Sequence, residues 1–115
     1  MKAAVTVKEN YEFRRIYRKG RSAVSPYFVV YCLKNRAGAS RLGVTVSKKL
    51  GHAVVRNRVR RRIREIYRLN LKKMKPGYDL VVVGRSRAVD APYEKINGAF
   101  VRCLSQLGLL TEEKP

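Results

Sequence analysis

Arginine dominates one segment of the chain, and guanidinium groups are the side chains with the most evident binding chemistry. Six of the nine residues from Arg56 to Arg64 are arginine. A guanidinium group is planar, always charged and able to bind two oxygens of one phosphate. Like charges this close along a helix repel one another unless an anion lies against them. The segment therefore predicts a surface for a phosphate backbone, and the alternative is a solvated surface helix.

A second set of side chains could bind nucleic acid by stacking. Phe13 and Tyr17 fall on a predicted first helix, and Tyr27 and Tyr31 fall on a predicted strand. If that helix packs beside that strand, Phe13, Tyr17 and Tyr31 would line a groove. Unpaired bases stack on such rings with about 1–3 kcal/mol each. Ordinary core packing is the alternative, most of all for Phe13, because tyrosine hydroxyls favour partial exposure.

The acidic and nucleophilic residues do not form a pattern typical of a hydrolase. The carboxylates are scattered, and only Glu9 and Glu12 share a helix face, where they suit the N-terminal end of the helix dipole. Asp79 opens a strand with no other carboxylate nearby in sequence. His52 is the single histidine, so it has no second histidine with which to form an acid–base pair. We therefore expect no catalytic residue and no metal site in the protein itself.

Composition indicates a single basic, globular domain over residues 1–115. The formal charge is +19, from 27 Lys and Arg against 8 Asp and Glu, while 45% of the residues are hydrophobic. Residues 48–75 carry twelve basic residues and one acid, so the excess charge is focused on one region. Such an excess favours nucleic acid as the partner. A membrane partner is not expected, because no apolar run approaches the roughly 20 residues that span a bilayer.

The expected location is the cytoplasm. The N-terminus lacks the hydrophobic core of a signal peptide. Cys32 and Cys103 belong to no metal-binding motif and are expected to be buried, reduced thiols. Double-stranded DNA is not an expected partner, because no recognition-helix pair or dimer seam is visible.

Hydrophobic periodicity predicts the helix that carries the arginines. From about residue 54 to 74 the apolar residues recur at helical spacing and form one stripe. The polar residues that fall on the opposite side are Asn57, Arg61, Arg64, Arg68 and Lys72. The helix should therefore pack its apolar stripe on the core and expose the arginines.

The other elements follow from similar patterns. Helices are predicted over 9–19 and from a capping Asp90 to about residue 107. Strands are predicted over 21–24, 27–33, 41–47 and 78–84, the last of them central in the sheet. The strands 27–33 and 41–47 are expected to form an antiparallel hairpin, and 111–115 a frayed tail. The order α-β-β-β-α-β-α predicts an α+β domain.

Residues 50–64 resemble the signature of bacterial ribonuclease P proteins. The positions that fit the fixed places of that signature are Leu50, Ala53, Arg56, Asn57, Arg58, Val59, Arg60, Arg61, Ile63 and Arg64. The residues around Phe13, Tyr17 and Gly20 are also typical of this family. The resemblance covers nearly the whole chain.

The resemblance implies both a fold and a function. The implied fold is a two-layer α/β sandwich, similar to ribosomal-protein domains, with a four-stranded sheet and a left-handed β-α-β crossover. The implied partners are ribonuclease P RNA and precursor tRNA. In such an enzyme the RNA, with its bound magnesium, removes the 5′ leader from precursor tRNA, and the protein alone binds no cofactor. The protein lends affinity for the leader and screens phosphate repulsion.

The resemblance also implies residue roles by position. Leader binding falls to Phe13, Tyr17 and Tyr31. Binding of the catalytic RNA is assigned to a larger, mostly basic set. Arg68 is added to it because it lies on the same side of the helix. The set is Lys48, Lys49, Arg56, Asn57, Arg58, Arg60, Arg61, Arg64 and Arg68. Arg62 stands at a variable position and at the edge of the apolar stripe, so packing along the sheet and RNA contact both stay open.

Two other functions would fit parts of the pattern. A ribosomal or other structural RNA-binding protein would share the basic surface but would not need a groove of aromatic rings. A stand-alone nuclease would need a catalytic centre, which the scattered carboxylates and single histidine do not supply.

Overall fold

A computed structural model describes residues 6–111 of the chain. The first helix, α1 (Asn10–Lys19), begins where Glu12 accepts hydrogen bonds from the backbone N–H groups of Lys8 and Glu9, at 3.4 and 3.3 Å. It ends where the N–H of Gly20 donates to the carbonyl of Ile16. The acidic first turn and basic last turn match the helix dipole, so the predicted helix is confirmed.

The four strands are β1 (Arg21–Val24), β2 (Phe28–Lys34), β3 (Arg41–Thr45) and β4 (Tyr78–Gly84). They form one mixed sheet with the order β1-β2-β4-β3. β4 lies inside the sheet, and most of its residues are buried. This confirms the central position that its continuous apolar run predicts.

The predicted hairpin between the strands 27–33 and 41–47 is wrong. β4 lies between β2 and β3, antiparallel to the former and parallel to the latter. The tight hairpin joins β1 and β2 instead, because the Ser25 hydroxyl accepts from the N–H groups of Tyr27 and Phe28 and donates to the carbonyl of Phe28. Alternating burial identifies a strand but does not identify its neighbour.

Two further helices cover one face of the sheet. α2 (Ala53–Asn70) carries the arginines, and a short 3₁₀ turn, Leu71–Lys73, follows it. α3 (Tyr93–Gln106) starts after the predicted capping residue, because Pro92 and not Asp90 occupies the N-cap position. The expectation of a frayed tail is wrong for Thr111, whose N–H donates to the carbonyl of Lys73 at 2.7 Å. Residues 1–5 and 112–115 lie outside the described residues.

The main core lies between the sheet and the pair α2 and α3. The buried residues of α2 that face the sheet include Val59, Ile63, Ile66 and Tyr67. α1 lies on the opposite face, where Ile16 packs with Val81 in a smaller cluster. The α+β class, the element order and the four-stranded sheet are confirmed. The left-handed sense of the crossover through α2 stays a prediction. No helix within residues 6–111 is long and apolar enough to cross a membrane.

Candidate nucleic-acid interface

The exposed side of α2 presents free guanidinium groups. Arg58, Arg61 and Arg64 are exposed, and their side chains have no hydrogen bond or ion pair with any residue between 6 and 111. Their full donor capacity is therefore available to a ligand. Together with Asn57, Arg60 and Arg68 they form the surface that we call the arginine face.

The remaining members of the arginine face make weak internal contacts. Arg60 donates from Nη1 to Oδ1 of Asn57 at 2.9 Å, which leaves the Asn57 amide nitrogen free to donate. Arg68 lies 3.5 Å from Glu65 in an exposed ion pair. Exposed pairs of this kind contribute little to stability and exchange readily for a better anion.

Two arginines of the same run turn towards the protein. Arg62 donates to the carbonyl oxygens of Ala88, Val89 and Ala91, at 3.2, 3.2 and 2.6 Å. Arg62 is therefore part of the packing, and it binds the loop before α3 instead of lying along the sheet. Arg56 is half-buried and donates from Nε to the carbonyl of Gly51 at 3.2 Å, which leaves its two terminal nitrogens without a hydrogen bond to the described residues.

Lys48 and Lys49 extend the positive surface beyond the helix. They lie on a 3₁₀ turn, Lys48–Leu50, whose start is capped by the Ser47 hydroxyl, which accepts from the N–H of Lys49 at 3.0 Å. Both lysines are exposed. They stand directly before the N-terminus of α2, where the helix dipole adds positive potential. His52 occupies the N-cap of α2, is exposed and makes no side-chain capping bond.

Three predicted aromatic residues meet on the other face of the sheet. The ring centroids of Phe13 and Tyr17 are 6.4 Å apart, and those of Tyr17 and Tyr31 are 4.9 Å apart in an edge-to-face arrangement. A pocket of about 310 Å³ opens beside them, lined by Asn10, Phe13, Arg14, Tyr17 and Thr45. We call this groove, with Phe13, Tyr17, Tyr31 and Thr45, the aromatic cleft. Tyr17 is exposed and the other two rings are half-buried, so the cleft is not ordinary core.

β3 builds the floor of the aromatic cleft. A Cβ atom on Gly43 would come within 2.7 Å of the Phe13 ring, so only glycine lets that ring lie against the strand. Two residues further along, the Thr45 hydroxyl lies 3.1 Å from the Tyr17 hydroxyl. Gly43 and Thr45 are small residues on one face of this strand, and such a face leaves room for large rings. The sequence analysis did not connect this face with the aromatic residues.

An ionic network fixes α1 over the sheet, and sequence reasoning missed it. Arg41 on β3 binds both oxygens of Asp79 at 2.9 and 2.7 Å and donates to Glu12 on α1 at 2.9 Å. Asn35 adds a hydrogen bond to Asp79 at 2.8 Å. The available signal was Asp79 itself, because an acid within a buried apolar strand needs a partner.

The network also sets the ionisation of its two acids. Burial raises the pKa of Asp79, but hydrogen bonds from Arg41 and Asn35 outweigh it and hold the pKa below its usual value. The hydrogen bond from Arg41 lowers the pKa of Glu12. Both carboxylates are therefore charged at neutral pH and bound to Arg41, which gives them a structural role.

The other groups considered for chemistry lie apart from these surfaces. Within residues 6–111, no three His, Cys, Asp or Glu side chains come together as a metal site. Cys32 and Cys103 are buried free thiols, as predicted, and burial raises the pKa of each. The arginine face and the aromatic cleft lie on helices that pack on opposite faces of one sheet. The molecule therefore has two separate surfaces suited to nucleic acid.

Comparison with known proteins identifies similar chains along nearly the full length. A family model described as Ribonuclease P matches residues 1–108. The ribonuclease P protein component of Natranaerobius thermophilus is 44% identical over 110 residues, covering 96% of each chain. That of Clostridioides difficile is 48% identical over 92 residues, covering 79% of this chain and 81% of the relative.

Solved structures give the same result. The RNase P protein of Staphylococcus aureus matches with a TM-score of 0.83 and 36% identity, covering 94% of this chain and 99% of that one. The RNase P protein of Thermotoga maritima matches with a TM-score of 0.77 and 31% identity, covering 84% of this chain and 92% of that one.

Proposed function

The chain belongs to the ribonuclease P protein family, and we propose that it joins the catalytic RNA of this enzyme to the leader of its substrate. Family membership implies a role in tRNA 5′ processing together with the RNA. In the proposal, the arginine face binds ribonuclease P RNA and the aromatic cleft binds the 5′ leader of precursor tRNA. The bond is broken by the RNA.

Contact between the arginine face and the catalytic RNA is supported by the free donors on α2. Arg58, Arg61 and Arg64 have no internal partner among the described residues, and Lys48 and Lys49 add charge at the helix start. Contacts to phosphates give affinity with little sequence information. If roughly 6–10 phosphates are neutralised, affinity should fall about 10³–10⁵-fold between about 50 and 200 mM salt.

Contact between the aromatic cleft and the leader is supported by ring geometry. Tyr17 is exposed, and its edge-to-face contact with Tyr31 leaves the cleft open beside Phe13. Stacking on aromatic rings tolerates any base, which suits an enzyme that must accept leaders of many sequences. Arg14 lines the same pocket and supplies a cation for the leader phosphates.

The catalytic step falls to the RNA in this proposal. The carboxylates of Glu12 and Asp79 are bound to Arg41 and so are not free to hold an ion. Magnesium would be held by the RNA of the assembled enzyme. The protein would supply binding and charge screening.

The observation that carries the proposal is the placement of two chemically different surfaces, one cationic and one aromatic, on opposite faces of one sheet. A protein with one RNA partner needs one such surface. A protein that joins two RNAs needs both, and each here has the chemistry for a different form of RNA.

The test removes the stacking rings and compares substrates with and without a leader. We expect a Tyr17→Ala, Tyr31→Ala double variant, assembled with ribonuclease P RNA, to lose roughly 10- to 100-fold in affinity for precursor tRNA. Its affinity for mature tRNA should stay unchanged. Tyr93→Ala is the matched control, because Tyr93 is also an exposed tyrosine but starts α3. Equal loss on both tRNAs would favour a general structural RNA-binding protein.

A further inference from the structure

The aromatic cleft contains uncharged hydrogen-bonding groups beyond what stacking and a phosphate contact require. Its pocket is lined by Asn10, Phe13, Arg14 and Tyr17 from α1 and by Thr45 from β3. The four residues of α1 stand three, four and seven positions after the first, so they share one face of the helix. The rings of Phe13 and Tyr17 can stack on a base, and Arg14 can pair with a phosphate. The Asn10 amide and the two hydroxyls are left for a further contact.

The hydroxyls of Tyr17 and Thr45 form a pair with spare hydrogen-bonding capacity. Their oxygens lie 3.1 Å apart, and either of them can be the donor. A hydroxyl has one proton to donate and two lone pairs to accept with, so a bond between two hydroxyls leaves one proton and further lone pairs free. Neither hydroxyl bonds to another group in the part of the chain that the structure describes. Tyr17 is 37% exposed and Thr45 is half-buried, so a ligand in the cleft can reach the pair.

Asn10 adds a free amide to the same pocket. It is the first residue of α1, it is exposed, and its side chain forms no hydrogen bond within residues 6–111. An amide, like the hydroxyl pair, offers both donors and an acceptor. A phosphate oxygen only accepts hydrogen bonds, so it would leave the acceptors unused. A ligand hydroxyl both donates and accepts, and it therefore matches this set of groups.

The position of Arg14 indicates which hydroxyl would fit. Its side chain lines the pocket and has no hydrogen bond or ion pair with the described residues. In RNA the 2′-hydroxyl stands on the ribose carbon next to the one that bears the 3′-phosphate, so a cation beside hydroxyl partners matches one ribose and its phosphate. Base edges match less well, because they differ among the four bases, whereas every ribonucleotide carries the same 2′-hydroxyl.

We propose that the paired hydroxyls of Tyr17 and Thr45, together with the Asn10 amide, bind the 2′-hydroxyl of one leader nucleotide. The aromatic cleft then selects an RNA strand over a DNA strand. This inference rests on the proposed function of the cleft. The rings hold the base whatever its identity, Arg14 holds the adjacent phosphate, and the hydroxyl pair recognises the sugar.

The test compares precursor tRNAs that differ only in the sugars of the leader. One leader consists of uridines and the other of deoxyuridines, and both keep a ribonucleotide at the cleavage site. Wild type, assembled with ribonuclease P RNA, should bind the ribose leader about 2- to 10-fold more tightly than the deoxyribose leader.

Two variants remove one hydroxyl each and keep the shape of the cleft. Tyr17→Phe and Thr45→Val should each lower the affinity for the ribose leader only, so that the preference for ribose disappears. Thr45→Ser keeps a hydroxyl and should keep the preference. Tyr93→Phe is the matched control, because it removes the hydroxyl of an exposed tyrosine at the start of α3.

Three results would overturn the inference. Wild type could bind both leaders equally. The preference for ribose could persist in Tyr17→Phe and Thr45→Val, which would assign it to the catalytic RNA. Thr45→Val could weaken both leaders equally, which would mean that Thr45 only positions the Tyr17 ring.

The Tyr17→Ala, Tyr31→Ala variant, run alongside, tests the cleft separately. If this variant binds the ribose leader as tightly as wild type, the proposed function of the cleft fails, and the inference fails with it. If it loses affinity for leader-bearing tRNA while wild type shows no preference between the two sugars, the cleft binds the leader and only the ribose contact is wrong.

Discussion

The arginine face and the aromatic cleft differ in how firmly their side chains are held in place. On α2 the exposed donors of Arg58, Arg61 and Arg64 have no partner among the described residues. In the cleft, the Tyr17 hydroxyl forms a hydrogen bond of 3.1 Å with the Thr45 hydroxyl. The Phe13 ring packs directly against the backbone of Gly43, which has no side chain. The first surface offers unpaired charge, and the second offers fixed geometry.

This difference indicates how each surface tolerates change. Phosphate contacts depend on charge and reach, so a long flexible cation can replace another at modest loss. Stacking depends on where a ring lies, so the neighbours that hold the ring matter as much as the ring itself. Arg41, Gly43 and Thr45 are such neighbours. The side chains of Arg41 and Thr45 bond to residues of α1, and the absence of a side chain at Gly43 leaves room for the Phe13 ring.

The largest expected effect comes from removing the free charge. An Arg58→Ala, Arg61→Ala, Arg64→Ala variant should bind the catalytic RNA roughly 100-fold more weakly, with a salt slope lower by about 2–3. Its thermal unfolding should be unchanged, because these side chains are exposed and form no hydrogen bond or ion pair among the described residues. The corresponding triple lysine variant keeps the charge and should keep most of the slope. An unchanged slope in the alanine variant would show that α2 does not meet phosphates.

Arg62 should behave differently from its neighbours in sequence. Arg62→Ala removes donors to three loop carbonyls and should lower the free energy of unfolding by about 1–3 kcal/mol. Urea denaturation measures this loss, and Arg61→Ala is the matched control, with no expected loss. RNA binding by the folded Arg62 variant should keep its salt slope. A lower slope with unchanged stability would place Arg62 on the arginine face.

A smaller effect should follow from disturbing the floor of the cleft. Gly43→Ala forces the Phe13 ring away from β3, so the affinity for leader-bearing tRNA should fall about 3- to 10-fold. Binding of the catalytic RNA alone should be unaffected. Gly98→Ala is the control, because a Cβ there meets only an arginine nitrogen at 3.8 Å. If both glycine variants bind leader-bearing tRNA as tightly as wild type, leader affinity does not depend on the position of the Phe13 ring.

The smallest effect should appear as a dependence of stability on pH. The pKa values of Asp79 and Glu12 are lowered in the folded protein by Arg41, so their contribution is present above the unfolded values of about 3.9 and 4.3. It is lost as the pH falls through the lower folded values. Urea denaturation between about pH 6 and 2.5 should show this decline, and Arg41→Met should flatten it. A decline of equal steepness in Arg41→Met would contradict the network.

The sequence was sufficient to predict which side chains form the arginine face, because most of them lie on a single helix. Helical angle alone separates Arg61 and Arg64 from the buried Val59 and Ile63, and the structure agrees. The same angle placed Arg62 at the edge of the stripe, but its carbonyl partners come from the loop before α3, about 26 residues later. Local pattern cannot identify a partner so distant in sequence.

The aromatic cleft and the sheet order depended on contacts between distant segments. The sequence identified Phe13, Tyr17 and Tyr31, and the structure brings their rings together. It did not predict that β4 separates β2 from β3, because alternation reports burial and not pairing partners. The salt bridge from Arg41 to Asp79 was not predicted for the same reason, because the two residues are 38 positions apart and meet only when β3 pairs with β4.

The most direct test of the central claim is cleavage of precursor tRNA with and without the catalytic RNA. At low magnesium, the protein together with ribonuclease P RNA should release the leader at the mature 5′ end, and faster than the RNA alone. The protein with magnesium but without RNA should release none. Cleavage at the mature 5′ end by the protein alone would contradict the account, because bond breaking would then belong to the protein.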